Sequence, residues 1–127
     1  MKYIKETSKS VDHAVADLQA AVARHKFGVL HIHNLQETLE KKGVDFPNAC
    51  QILEICNPQT AKDVLLADMD LNMALPCRVS VYSENNKTKI GMIRPTAMLG
   101  LLSESPKMAQ IAKEVDAAVI AMIEEAL

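Results

Sequence analysis

The sequence predicts an α+β fold: a two-layer α/β sandwich in the order β-α-β-α-β-α-β-β-α, with a mixed or mostly antiparallel sheet. Three observations carry that expectation. Apolar residues recur at the helical period in two long stretches, 11–22 and 108–126, while short runs of β-formers lie between them. Capping and turn residues punctuate the changes of period: Ser10, Asn34, Gly43, Asn57-Pro58, Asn85-Asn86 and Ser105-Pro106. Finally, 127 residues of which 49% are apolar suit a single domain of residues 1–127 with a real core, since domains commonly run to roughly 100–200 residues.

Residues 2–7 (KYIKET) alternate in character and read as a short strand. Ser10 then caps a helix whose stripe is Val11, Ala14, Val15, Leu18, Ala21 and Val22. The run 27–33 (FGVLHIH) is apolar on both faces at its start, which predicts a central strand. Asn34 with Glu37 three residues on resembles a capping box, so 35–42 is a short helix ending at Gly43. Residues 49–56 (ACQILEIC) form the next strand. Asn57 as cap and Pro58 at the first helical position open a helix to about Ala67, with Ala61, Val64 and Leu65 inward. A connector, 68–76, has room for one helical turn. The runs 77–83 and 87–94 make a hairpin around Asn85 and Asn86, residues suited to positive φ. Pro95 ends it, an apolar turn follows at 96–102, and the last helix runs over 106–126.

Composition narrows the function classes. The charge is 14 − 16 = −2, against the basic face of a nucleic-acid binder. Aromatic residues are 3% of the chain, too few and too scattered for stacking on single strands. No apolar run approaches the roughly 20 residues that span a bilayer, and MKYIKETSKS lacks the apolar stretch of a secretory signal. Three cysteines, an odd number, do not suggest a disulfide framework. The expectation is a cytoplasmic homodimer with reduced cysteines, no nucleic acid and no membrane among its partners.

Longer segments bear a resemblance. FGVL before a capped short helix, VDFPNACQILEICNP, MALPCRVSVY, and IRPTAML ahead of a long helix resemble one family throughout. It is the bacterial and archaeal family catalogued as domain of unknown function 302. The resemblance covers nearly the whole chain, and its most specific pieces are Cys56-Asn57-Pro58 and Leu75-Pro76-Cys77. It implies a small α/β sandwich, often dimeric, with no established biochemical activity. His31, His33 and Glu54 depart from the pattern, and Cys50 belongs to neither motif.

The thiols lead the candidates for chemistry. Cys56 lies just outside the first turn of a helix, where the positive partial charge lowers a thiol pKa. The competing reading is packing, because free cysteine behaves as a small buried hydrophobe. Cys50 follows that second reading, as core. Along one strand Cys50 and Cys56 are about 20 Å apart at roughly 3.3 Å per residue, so they share no site. Cys56 and Cys77 become neighbours only if their strands run antiparallel. His31 and His33, at i and i+2, face one way and have the spacing of two metal ligands, with Glu54 or a cysteine as the nearest third by type. A partly exposed strand edge is the simpler account of them. Arg94 has no evident partner in sequence. There is no Gly-rich phosphate loop (the glycines are Gly28, Gly43, Gly91 and Gly100), nucleophile elbow or paired-CxxC zinc ribbon.

The leading functional expectation is a binding module for an unidentified small molecule or thiol-reactive compound, with a thiol-containing site at Cys56, Asn57 and Cys77. The alternative is a non-catalytic structural or interaction homodimer without a ligand. A metal-dependent enzyme using His31 and His33 comes third. Catalytic residues and cofactors are not specified by the sequence.

Overall fold

Strands β1 (Lys2–Thr7), β2 (Gly28–Asn34), β3 (Cys50–Cys56), β4 (Cys77–Glu84) and β5 (Lys87–Ile93) form one sheet in the computed structural model, which describes residues 1–127. Their spatial order is β1-β5-β4-β3-β2, and every neighbouring pair is antiparallel. The helices are α1 (Val11–Arg24), α2 (Leu35–Lys41), α3 (Pro58–Ala67), α4 (Pro95–Leu102) and α5 (Pro106–Ala126). The α+β sandwich and its element order therefore stand, with a fully antiparallel sheet. The connector before β4 holds a 3-10 helix, Met69–Ala74, and the apolar turn after Pro95 is α4.

Local chemistry sets the boundaries. Ser10 Oγ accepts from the His13 N–H at 3.1 Å, Asn34 Oδ1 from Glu37 at 3.1 Å, and Asn57 Oδ1 from Thr60 at 3.2 Å. Each satisfies an N–H that the helix itself leaves unpaired. Asn85 and Asn86 have φ of 54° and 62°, the left-handed pair a two-residue hairpin turn requires. Gly43, at φ 80°, closes the turn after α2.

Seventeen buried hydrophobic residues form the main core between the sheet and the helices α1 and α5. Leu53 and Ile55, Val79 and Val81, and Ile90 and Met92 are buried on the helical side. Alternation then turns Ile52, Glu54, Arg78, Ser80, Tyr82, Gly91 and Ile93 to the other face. A second cluster of five (Val64, Leu71, Leu99, Met108 and Ala112) lies between α3, the 3-10 helix, α4 and the start of α5. Lys9 fastens the far end of α5, donating to Asp17 Oδ2 at 2.6 Å and to the Ala126 carbonyl at 2.9 Å.

Two expectations, for β2 and Cys50, are corrected, and that for α3 is refined. β2 is an edge strand with Leu30 exposed: a register shift between Val29 and His31 breaks its alternation, so its apolar start does not mark burial on both faces. The inward positions of α3 do face inward, Val64 fully buried and Ala61 and Leu65 half-buried against the cleft at the sheet's end. Cys50 is half-buried on the non-helical face, since alternation from Leu53 and Ile55 points it away from the core. No helix is long and apolar enough to cross a membrane.

Candidate functional site

Because β3 and β4 are antiparallel, the end of one lies beside the start of the other. Ile55 pairs with Cys77, so Cys56 and Cys77 meet at one end of the sheet. Residues 57–76 leave that end as α3 and the 3-10 helix and return to it. Of the two arrangements the sequence allowed, the structure takes the one that makes the thiols neighbours. Both wall a single apolar cleft of about 260 Å³, together with Phe27, Val64, Leu75 and Leu99. Pro76 follows a cis peptide bond at the mouth of β4.

The thiols are half-buried and unpaired. Burial pushes the Cys77 thiol up to about 11, and the nearby Cys56 adds to the rise. Burial also raises Cys56, the reverse of the activated thiolate anticipated at a helix N-terminus. The reason is local: desolvation penalises the charged form. Both thiols are protonated at neutral pH and act as soft apolar lining. Asn57 lines the same cleft, yet its oxygen caps α3 and its amide reaches the Lys26 carbonyl at 3.5 Å. Its polar atoms are spent on structure. Cys50, at the opposite end of β3, takes no part.

A larger cavity of about 470 Å³ adjoins the first, sharing Leu75, Pro76, Cys77 and Leu99. It opens over the non-helical face of the sheet and reaches round the strand ends to Met92 and Val119. The only charged residues lining it are Lys2 and Arg78.

His31 and His33 do share a face of β2, their ring centroids 4.3 Å apart and nearly perpendicular at 76°. His33 Nε2 is hydrogen-bonded to Glu54 Oε1, and that bond holds the Glu54 carboxyl below its usual range. No three His, Cys, Asp or Glu side chains are grouped to hold a metal ion. The two histidines form an exposed edge with one carboxylate partner.

The sequence reading missed a buried charge. Arg94 is paired: its Nε donates to Asp116 Oδ1 at 3.1 Å, and the Thr96 hydroxyl donates to Asp116 Oδ2 at 2.6 Å. Asp116 is only 2% exposed. Burial alone would raise its carboxyl, but the bonds from Thr96 and Arg94 outweigh burial and hold it below the ordinary value. The signal was available, because Asp116 lies four residues after Ala112 and seven before Ile123, on the apolar stripe of α5.

Over most of its length the chain is similar to a protein family and to solved structures. Residues 3–126 match the family model described as Domain of unknown function DUF302. The crystal structure of an uncharacterized conserved DUF302 protein from Bacillus stearothermophilus superposes with a TM-score of 0.93 at 33% identity, covering 99% of this chain and 98% of that one. No curated protein matches.

Proposed function

The chain belongs to the DUF302 family, whose description names no activity, and we propose from the site itself that it is a binding module for a small, mostly apolar molecule. One observation carries this reading: Cys56 and Cys77, from two separate motifs, wall the same cleft. Ligand pockets are typically mostly apolar with a few polar groups, and a cleft of about 260 Å³ suits a ligand no larger than one or two rings. With both thiols held protonated, the cleft is fitted to enclose a ligand and not to attack it. The three unpaired thiols support a reducing, cytoplasmic setting.

Indole is a suitable probe. Titrated into the labelled protein, it is expected to shift the backbone NMR signals of Cys56, Thr60, Val64 and Cys77 together and to slow alkylation of Cys77. Ala61→Phe, which fills the cleft from α3, abolishes both effects. Unmoved signals, or shifts scattered over the surface and indifferent to Ala61→Phe, would sink the reading. A second reading, a ligand-free homodimer, draws on the exposed Leu66, Met73, Leu101 and Leu102. It requires a light-scattering mass of twice the 13.9 kDa of one chain.

A further inference from the structure

The larger cavity invites a separate assignment, one that does not rest on the thiol cleft. Its floor follows from side-chain size along one row of the sheet. Ile4 pairs with Gly91, Gly91 with Ser80, and Ser80 with Ile52. The two central positions are therefore the smallest, flanked by branched residues on both sides. The Ile4 side chain leans over Gly91 so closely that a Cβ there would meet Ile4 Cγ1 at 3.0 Å. The result is a trough, and Met73 of the 3-10 helix and Met98 of α4 wall its end.

Charge in the trough has one sign. Lys2 and Arg78 line it, no carboxylate does, and neither cation makes an ion pair. Glu54 faces Arg78 in the strand register; its carboxylate is hydrogen-bonded to His33 and feels the Arg78 charge without forming an ion pair with it. Two unpaired cations beside an apolar concavity of about 470 Å³ complement a molecule with an apolar body and an anionic head. Guanidinium offers a carboxylate two parallel donors, which makes Arg78 the anchor and Lys2 the assisting charge.

We propose that this trough binds a free amphipathic carboxylate, with its tail over Ser80 and Ile52 and its head on Arg78. A second copy of the chain seated on the same face is the competing occupant, which the test below separates. The bounded walls favour a single tail over a flat membrane surface.

Calorimetric titration of the full chain with decanoate, decan-1-ol and decyltrimethylammonium tests the assignment. Decanoate is expected to bind about tenfold tighter than the alcohol, and the cation weakest, the scale of a hydrogen bond to a charged group. Arg78→Gln weakens decanoate roughly tenfold and leaves the alcohol within about twofold, because only the head loses its partner. Ser80→Phe fills the floor and removes both ligands while the circular dichroism spectrum is kept. If that variant misfolds, Arg78→Gln decides alone, since Arg78 is exposed. Absence of decanoate binding, equal affinity for the cation, or indifference to Arg78→Gln overturns the proposal. So does co-sedimentation with phosphatidylglycerol vesicles without decanoate binding, or a dimer that Ser80→Phe splits.

Discussion

The sheet beneath α1 and α5 and the cap at the sheet's end are built by opposite means. Under α1 and α5, seventeen residues bury together, eleven from helices of 14 and 21 residues that present whole apolar stripes and six from β3, β4 and β5. In the cap, five residues form the cluster, and α3, the 3-10 helix and α4 supply one each: Val64, Leu71 and Leu99. The three most exposed large hydrophobics also lie in the cap, Leu66, Met73 and Leu101 being 75–76% exposed. Both cavities open against it. Dense burial supplies stability in one region, and sparse burial leaves concave, adaptable surface in the other, where local opening costs less free energy.

The largest expected effect separates the two directly. Leu53 and Leu71 are both fully buried, one in each cluster. Removing a buried leucine costs its transfer energy plus a cavity term that depends on how far the site can collapse. Leu53→Ala, enclosed between a central strand and two helices, is expected to lose about 4 kcal/mol, and Leu71→Ala about 2 kcal/mol. Urea unfolding followed by circular dichroism measures both. Equal losses would mean that the cap is packed as tightly as the core.

Asp116 sits where the regions join, and its loss is the next effect in size. It binds Arg94 and Thr96 at the head of α4 from a helix whose Val115 and Val119 belong to the main core. Asp116→Asn keeps an acceptor for Thr96 but leaves Arg94 without its charge, at a cost of about 2 kcal/mol. The pH dependence follows from the lowered carboxyl. Its contribution is full above the ordinary aspartate value of 3.8 and is lost as pH falls through the depressed folded value. The stability gap between wild type and variant should therefore be constant near neutrality and close below about pH 4. Taking the difference removes the other lowered carboxylates, such as Asp17 and Glu125, which both proteins share. A gap that persisted at low pH would show that Asp116 acts by shape and not by charge.

How much of this was legible in the sequence follows the range of the forces involved. The caps at Ser10, Asn34 and Asn57, the asparagine hairpin turn and the stripes of α1 and α5 are set within a few residues, and they read correctly. The edge position of β2 did not, because strand order is decided by tertiary pairing, and 57–76 can join parallel or antiparallel strands. The meeting of Cys56 with Cys77 waited on that same choice. The direction of the Cys56 shift also waited on burial, which opposes the local helix effect. Arg94 and Asp116 lie 22 residues apart on different elements, so periodicity marked the aspartate's position but not its partner.

The smallest effect tests whether the two regions open separately. Asn57 caps α3 through its 3.2 Å bond from Thr60, and replacing such a cap by alanine costs about 1 kcal/mol. If the cap opens as its own unit, Asn57→Ala speeds hydrogen exchange along α3 and the 3-10 helix several-fold. Sheet amides that exchange through local openings leaving α3 folded would then keep their protection, while the slowest, which need global unfolding, would speed by the same factor because they lose the same cap. If instead the α3 amides of the wild type exchange as slowly as the slowest amides of β4 and β5, and Asn57→Ala moves all of them equally, cap and core melt together. The cap's sparse burial would then be a difference of packing without independence, and ligand binding at its edge would have to act on the stability of the entire fold.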